Sequence, residues 1–468
     1  MMKKYAFAVC LSLLACAPAL CASPAMEPFI MEDWTYSVEP THMDYWGINR
    51  WGVTSFMLPY RITQRVKHQW ESSHKENWTY KSGTGGAKGV FMRTASTFAD
   101  MVLFIAPQNQ DHVLGHDTRT REISRDYPGS YKFVTRRLSQ ILPVYLGGGE
   151  LVDSDDVSYN KAGPDVSTLI NSTLWEAHNQ QTYFEGRRIL AEEAVNSTQL
   201  ENLIWYRVIR LQTEWKQVDQ DCVPYHNGVT TGYSPMKCRS KSGSAEDYSN
   251  YLMDLNTGRY GVANVKDYKL GIYDLQRANQ LQLLDPVFAL ALYRYGADYI
   301  GHAGNTTRLP MLRVPGTGVS YLPGLRVYLS PFGIEYYQDN YFRRGKTLVN
   351  LFWSKGDNKY QRRGGAGFDV YNIPLGGTVT AGVFGEMRRQ PAVNRILDTT
   401  PVSAAEYGRL RNVYNAGASL RLPLWAYGEN RSREFLLTLK AGRKNTGWLP
   451  GEYIKGSFYM ETGIGLHL

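Results

Sequence analysis

The chain is poor in cysteine and, past its first residues, has no long uninterrupted apolar run; each shortage excludes something. Only five of its 468 residues are Cys, and Cys10, Cys16 and Cys21 fall in the leading segment. The remaining two, Cys222 and Cys238, lie close in sequence. In an oxidising compartment such a pair reads as a disulfide, whose short loop would contribute roughly 3 kcal/mol. Zinc is disfavoured there, because both thiolates plus His226 still fall short of a tetrahedral structural site. No stretch after the leader approaches the roughly 18 apolar residues of a spanning helix; the runs at 101–106 and 287–293 are far shorter. Gly-x-Ser-x-Gly elbows and Walker-type phosphate loops are missing, and Gly316-Thr317-Gly318 is too bare for a nucleotide site.

What is present begins with an export pattern. Lys3 and Lys4 precede an apolar run over 5–14 and small residues around Ala17-Pro18-Ala19 and Leu20-Cys21-Ala22, the layout of a signal peptide over 1–22. The alternative takes Leu13-Leu14-Ala15-Cys16 as a lipoprotein signal with Cys16 lipidated. The formal charge is +9, and the export leader argues against nucleic acid as the partner it would attract. It fits attraction to anionic lipid or lipopolysaccharide headgroups, or a solvated surface excess. Tyr numbers 33 and Trp 11 while mean hydropathy is only -0.38, a pairing that suits strands alternating between lipid and water.

Three zones follow the leader. Residues 23–150 mix β-branched and aromatic runs with Gly-rich breaks at 82–86 and 147–149 and are expected to form strands, although 98–106 fits a helix equally well. Residues 151–310 read as a helical insertion holding the Cys222–Cys238 pair. Leu200, Leu203, Ile204, Val208, Leu211, Trp215 and Val218 recur at helical spacing behind a Thr198-x-x-Glu201 capping box. The stretches 165–177 and 187–195 are expected as companion helices, interrupted by Gly186 and Asn196. Asp285 and Pro286 mark the start of another helix, apolar on all sides and therefore expected to be enclosed.

Residues 311–468 change to a period of two. Over 414–426, one parity holds Tyr414, Ala416, Ala418, Leu420, Leu422, Leu424 and Ala426; the other holds Asn415, Gly417, Ser419, Arg421, Pro423 and Trp425. Phe435, Leu437, Leu439 and Ala441 alternate with Glu434, Thr438 and Lys440, with Leu436 an exception. Val379, Ala381, Val383 and Met387 alternate with Thr380, Glu386 and Arg388, with Phe384 an exception. Alternation this long exceeds the usual soluble strand and matches the roughly 9–11 residues of a tilted membrane strand.

The final segment, Glu461-Thr462-Gly463-Ile464-Gly465-Leu466-His467-Leu468, resembles the C-terminal assembly signal of bacterial outer-membrane β-barrels. Its carriers are Glu461, Gly463, Leu466 and Leu468, although such signals usually close on an aromatic. No particular barrel family is indicated. The resemblance implies an all-β-dominated fold, a transmembrane antiparallel barrel with about 10–14 strands and an inserted helical region. It also implies insertion by the barrel-assembly machinery into the bacterial outer membrane. The charges expected to face the lumen are Glu386, Arg388, Arg421, Glu434, Lys440, Lys455 and Glu461, a mixed set suited to a pore or a salt-bridged plug.

Candidate chemistry is sparse. His112-x-x-x-His116-Asp117 has metal-like spacing, but Pro107 and Gly115 argue against a helix there, so a polar loop is expected. Asp153, Asp155 and Asp156 lack the glycine turn and terminal glutamate of a calcium loop. His226 with Ser234 is the pair on which a barrel lipid hydrolase would rest; His467 and Ser457, about 33 Å apart along one strand, cannot touch. The expected function is therefore non-catalytic passage or holding of a solute or polymer, porin-like and without a cofactor. The alternatives are a membrane-embedded enzyme acting on envelope lipids and a soluble exported glycan-binding β-protein.

Overall fold

The computed structural model describes residues 30–38, 86–126, 164–191, 197–216, 251–262, 267–302, 308–357, 359–393, 409–427 and 433–467, with short pieces at 60, 63, 134–135, 152–153, 195 and 248. An early strand, β1 (Ile30–Val38), is followed by a minor hairpin of β2 (Val134–Thr135) and β3 (Val152–Asp153). Nine strands then run as an antiparallel meander in chain order. They are β4 (Leu312–Val314), β5 (Val319–Ser330), β6 (Gly333–Arg344), β7 (Thr347–Gly356), β8 (Gly364–Gly376), β9 (Val379–Pro391), β10 (Leu410–Tyr427), β11 (Arg433–Lys444) and β12 (Ser457–His467). β1 returns to pair antiparallel with β12, placing Thr35 opposite Gly463. Among the described residues, β1 and the three-residue β4 are the outer members of this sheet.

The period-two pattern has a direct structural counterpart. In β10, Tyr414, Ala416, Ala418 and Leu424 are exposed while Val413 and Asn415 are buried. In β12, Phe458 and Met460 are exposed and Tyr459 and Gly463 buried; in β7, Leu351 and Trp353 are exposed and Asn350, Phe352 and Ser354 buried. Successive side chains of a strand point to opposite faces, so an exposed face rich in apolar side chains alternates with a buried face that includes polar ones. The exception is instructive: a bulge between Pro423 and Trp425 shifts the register, leaving Trp425 70% exposed rather than on the polar parity. β5 and β6 differ, being buried on both faces where they meet, because helical segments cover Val327, Leu329 and Ile334.

The helices are α1 (Gly86–Asp126), α2 (Pro164–Ala191), α3 (Ser197–Lys216), α4 (Ile272–Leu281) and α5 (Pro286–Arg294), the last continuing into a wide turn, Tyr295–Gly301. α1 corrects the expectation of strands over 86–126, and it takes in 98–106, where a helix fitted equally well. Its weak periodicity hid a tertiary anchor: Arg93, fully buried, donates to the carbonyls of Ile300 at 2.8 Å and Gly301 at 3.3 Å. Such contacts hold a helix that propensity alone would not, even across Pro107.

α2 likewise runs unbroken where two helices flanking Gly186 were expected. A Cβ on Gly186 would come within 3.4 Å of Val287, so the glycine admits α5 at close range. α3 matches its predicted span, but Glu201 accepts a 2.9 Å bond from the Trp205 indole. α5 is enclosed on one side only, by Val287, Phe288 and Ala291, with Tyr293 42% exposed. That apolar side joins Ile189 and Leu203 to Leu322, Tyr341 and Leu348 of the sheet. Burying each large aliphatic or aromatic side chain there contributes about 1.5–3 kcal/mol.

Asp285 performs the predicted capping and more. Its Oδ1 accepts from Val287 N–H at 3.3 Å and from Leu325 N–H at 3.1 Å, tying the first turn of α5 to β5. Burial raises its pKa above the ordinary aspartate value, against the pull of Arg207, which lies 3.5 Å away. A raised carboxyl favours the folded state below the unfolded-state pKa and loses that contribution as pH rises through the folded value. The Asp285 contribution should therefore fall with rising pH across that window, and Asp285→Asn should shift the pH dependence of unfolding by that contribution while keeping the cap. Asp285→Ala strands two amides and is expected to lower stability by about 2–3 kcal/mol at any pH, read from denaturant midpoints.

Candidate functional site

α2 is the element around which the site is built. It is buried along nearly its whole length, yet it carries Asp165, Thr168, Ser172, Thr173, Glu176, Asn179 and Thr182 on its buried surface. Several of these satisfy themselves on their own helix: Thr168 donates to the Asp165 carbonyl, Thr173 to that of Leu169 and Thr182 to that of His178, all within 2.9 Å. The others bind surrounding elements. Arg259 lies 2.5 Å from both Asp165 oxygens, Arg119 bridges Glu176 and Glu122, and Asn179 donates to Val327 O of β5 at 2.6 Å.

The C-terminal half of α2 reaches the sheet through charge. Arg187 pairs with Asp369 of β8 at 2.5 Å, and the Tyr183 hydroxyl donates to the same carboxylate at 3.0 Å. Burial opposes the charge on Arg187, but Asp369 more than compensates and its pKa rises. Burial together with Asp369 raises the Tyr183 phenol far above the ordinary tyrosine value, so it stays a neutral donor. Arg326 of β5 stacks over the Tyr183 ring at 4.0 Å and pairs with Asp339 at 2.6 and 2.7 Å.

Deeper in the sheet is a buried triad. Glu335 accepts from Arg388 at 2.6 Å, from Ser330 at 2.9 Å and from Arg363. All three charged side chains are completely shielded from solvent. Arg388 also donates to the Tyr337 hydroxyl at 2.7 Å, which donates onward to Glu386 at 2.9 Å.

Between α2 and the strands from β5 to β12 lies a cavity of about 260 Å³. Gln180, Gln181 and Phe184 line it from α2; Asp369, Tyr371, Phe384, Glu386, Ser419, Arg421, Thr438, Lys440 and Glu461 are among the sheet residues that complete it. The loop between β11 and β12 folds under one end. Its Gly451 N–H reaches Glu176 at 2.7 Å, its Ile454 N–H reaches Glu122 at 2.5 Å, and Lys444 donates to the Gly447 carbonyl at 2.6 Å.

The charges singled out from sequence divide as follows. Glu386, Arg421, Lys440 and Glu461 line the cavity, and Arg388 lies buried beside it. Lys440 and Glu461 pair at 3.1 Å, and Arg421 donates to Tyr371 at 3.3 Å. Lys455 is misassigned: it precedes β12 and is exposed, because the chain turns there before the strand begins. Glu434 sits in β11 opposite His467, its side chain outside the described residues. Of the C-terminal signal, Glu461, Gly463 and Leu466 fall in β12, paired on both sides by β11 and β1; Leu468 lies outside the described residues.

Cys222, Cys238, His226, Ser234, Asp155 and Asp156 also lie outside the described residues. His112 and His116 belong to helical α1, not to the loop expected for them; no metal-holding group of three His, Cys, Asp or Glu occurs among the described residues. Sequence reading missed α2 altogether as a site element. Its only signal was polarity on every side of a helical stretch, which is also what a solvated helix shows.

Comparison of the chain with family models, with curated proteins and with solved structures gives no match.

Proposed function

We propose that this chain is an exported outer-membrane protein whose strands wrap α2 within a membrane barrel and whose cleft holds or passes a solute. One observation carries the reading: polarity is inverted across β7–β12. Asn350, Asp369, Arg388, Asn415 and Lys444 are buried on one face, while Trp353 is 49% exposed, Met387 60%, Leu424 57%, Phe458 53% and Met460 48% on the opposite face. Exposed apolar side chains are ordinary one at a time, but a contiguous band of them marks a surface that meets something apolar. Hydrocarbon is the partner that suits paired strands, since it tolerates no orphan backbone group and needs no polar side chain. The alternating C-terminal segment and the export leader support the same compartment.

The insert points to holding rather than free flow, because α2 and its ion pairs occupy the side on which an open channel would need water. Detergent-extracted protein is expected to migrate faster on gels when unheated than when boiled. It should also partition with detergent and give no large single-channel steps in planar bilayers. Partition into the aqueous phase with heat-independent migration would remove the membrane reading.

A further inference from the structure

We propose that the cleft between α2 and the sheet binds a neutral saccharide unit; the proposal rests on the barrel reading for its setting but is tested separately from it. The composition of the walls carries it. Four cationic residues, Arg187, Arg326, Arg421 and Lys440, stand against four carboxylates, Asp369, Glu386, Glu452 and Glu461. Three of the cations are held by carboxylates: Arg187 with Asp369 and Lys440 with Glu461 on the wall, and Arg326 with Asp339, which is not part of the lining. A wall whose cations are paired in this way offers little net field to favour an anion.

Nor is the lining apolar throughout: apolar and polar side chains share it. Small-molecule pockets are mostly hydrophobic with a few polar fixtures. Here amides from Gln180, Gln181 and Asn415 and hydroxyls from Thr380, Ser419 and Thr438 are among the lining groups, each type able to donate and to accept. A ligand that satisfies them must carry many hydroxyls, each able to donate and accept. The carboxylates and guanidinium groups add paired acceptors and forked donors, which match adjacent hydroxyls on a ring. Phe184, Tyr371 and Phe384 supply the apolar surface that the C–H face of a sugar needs. A volume near 260 Å³ lies just under the usual range for ligand sites and suits a single sugar ring.

The test uses full-length protein in detergent and a panel of oligosaccharides of glucose, galactose, mannose, rhamnose and N-acetylglucosamine, with polygalacturonate fragments and sodium phosphate as charged comparators. Calorimetry should give saturable binding of at least one neutral oligosaccharide, with no comparator binding more tightly. Gln181→Ala is expected to weaken binding about three- to tenfold, the loss of a hydrogen bond or two. Thr438→Trp, which fills the space, should abolish it. If no neutral saccharide binds to protein that still shows heat-dependent migration, or if both variants bind as the parent does, the saccharide assignment is overturned while the barrel reading stands. Tighter binding of a charged comparator overturns it equally. Saccharide binding by protein that shows no heat-dependent migration retains the site and removes the barrel.

Discussion

Replacing Glu335 with Ala is expected to lower the stability of the folded protein by about 3–5 kcal/mol. Glu335 is the only carboxylate bonded to both Arg363 and Arg388 among the described residues, and none of the three has solvent to fall back on. Removing it leaves Arg388 without the carboxylate it bonds, and Arg363 with only Asp357, at 3.3 Å, in a low-dielectric interior. The cost of that exceeds the value of the original pairing, since desolvation had already been offset by the carboxylate. Glu335→Gln, which keeps the shape and one acceptor oxygen, should fall between the parent and the alanine variant. The temperature at which the unheated gel form is lost, or the midpoint of denaturant unfolding, reads the order. Parent-like stability of Glu335→Ala would mean that water reaches the triad.

The second large effect separates two environments for one surface. Ala418 is exposed in the middle of β10, on the apolar face. On a protein surrounded by water, Ala418→Arg should change stability by no more than about 0.5 kcal/mol, as surface substitutions generally do. On a strand facing lipid near the bilayer midplane, the same change should cost about 2–4 kcal/mol. Folding into vesicles, followed by denaturant titration, is expected to give the larger figure. Ser419→Arg on the neighbouring parity adds a charge to a wall that already holds Arg421 and Lys440, so it should perturb ligand binding more than membrane folding.

What the sequence made legible follows from where each side chain meets a boundary. Tyr414, Ala416 and Ala418 could be sorted from Asn415 because the two sides of β10 meet different surroundings, and a period of two records that difference. Asp285 and Pro286 were readable for a local reason: an N-cap and a first-turn proline act within a few residues of each other. Leu436 and Phe384 looked like flaws in the alternation; instead they face the cavity with the charged residues, where some apolar surface is needed.

The unread parts are those decided at long range. The polar residues of α2 are buried because Arg119, Arg259 and Asp369, from distant parts of the chain, meet them. Nothing within a helical turn announces such partners. α1 depends in the same way on the carbonyls of Ile300 and Gly301. The pairing of β1 with β12 joins strands more than four hundred residues apart, and no periodicity encodes a partner. Trp425 was misread because a bulge moves one residue across the sheet without altering composition, and Lys455 because the alternation ran on past the true start of β12. The cavity gathers residues from α2 and most of the meander, so its existence required the fold.

The most direct test is a cysteine scan over 414–422, in a background free of the native cysteines, with folded protein in vesicles. Labelling by a membrane-impermeant maleimide and quenching by brominated lipid would be read at each position. Positions 414, 416, 418, 420 and 422 are expected to be quenched by lipid and protected from the maleimide, while 415, 417, 419 and 421 escape the quencher. Equal labelling of both sets, with no lipid quenching on either, would contradict the account.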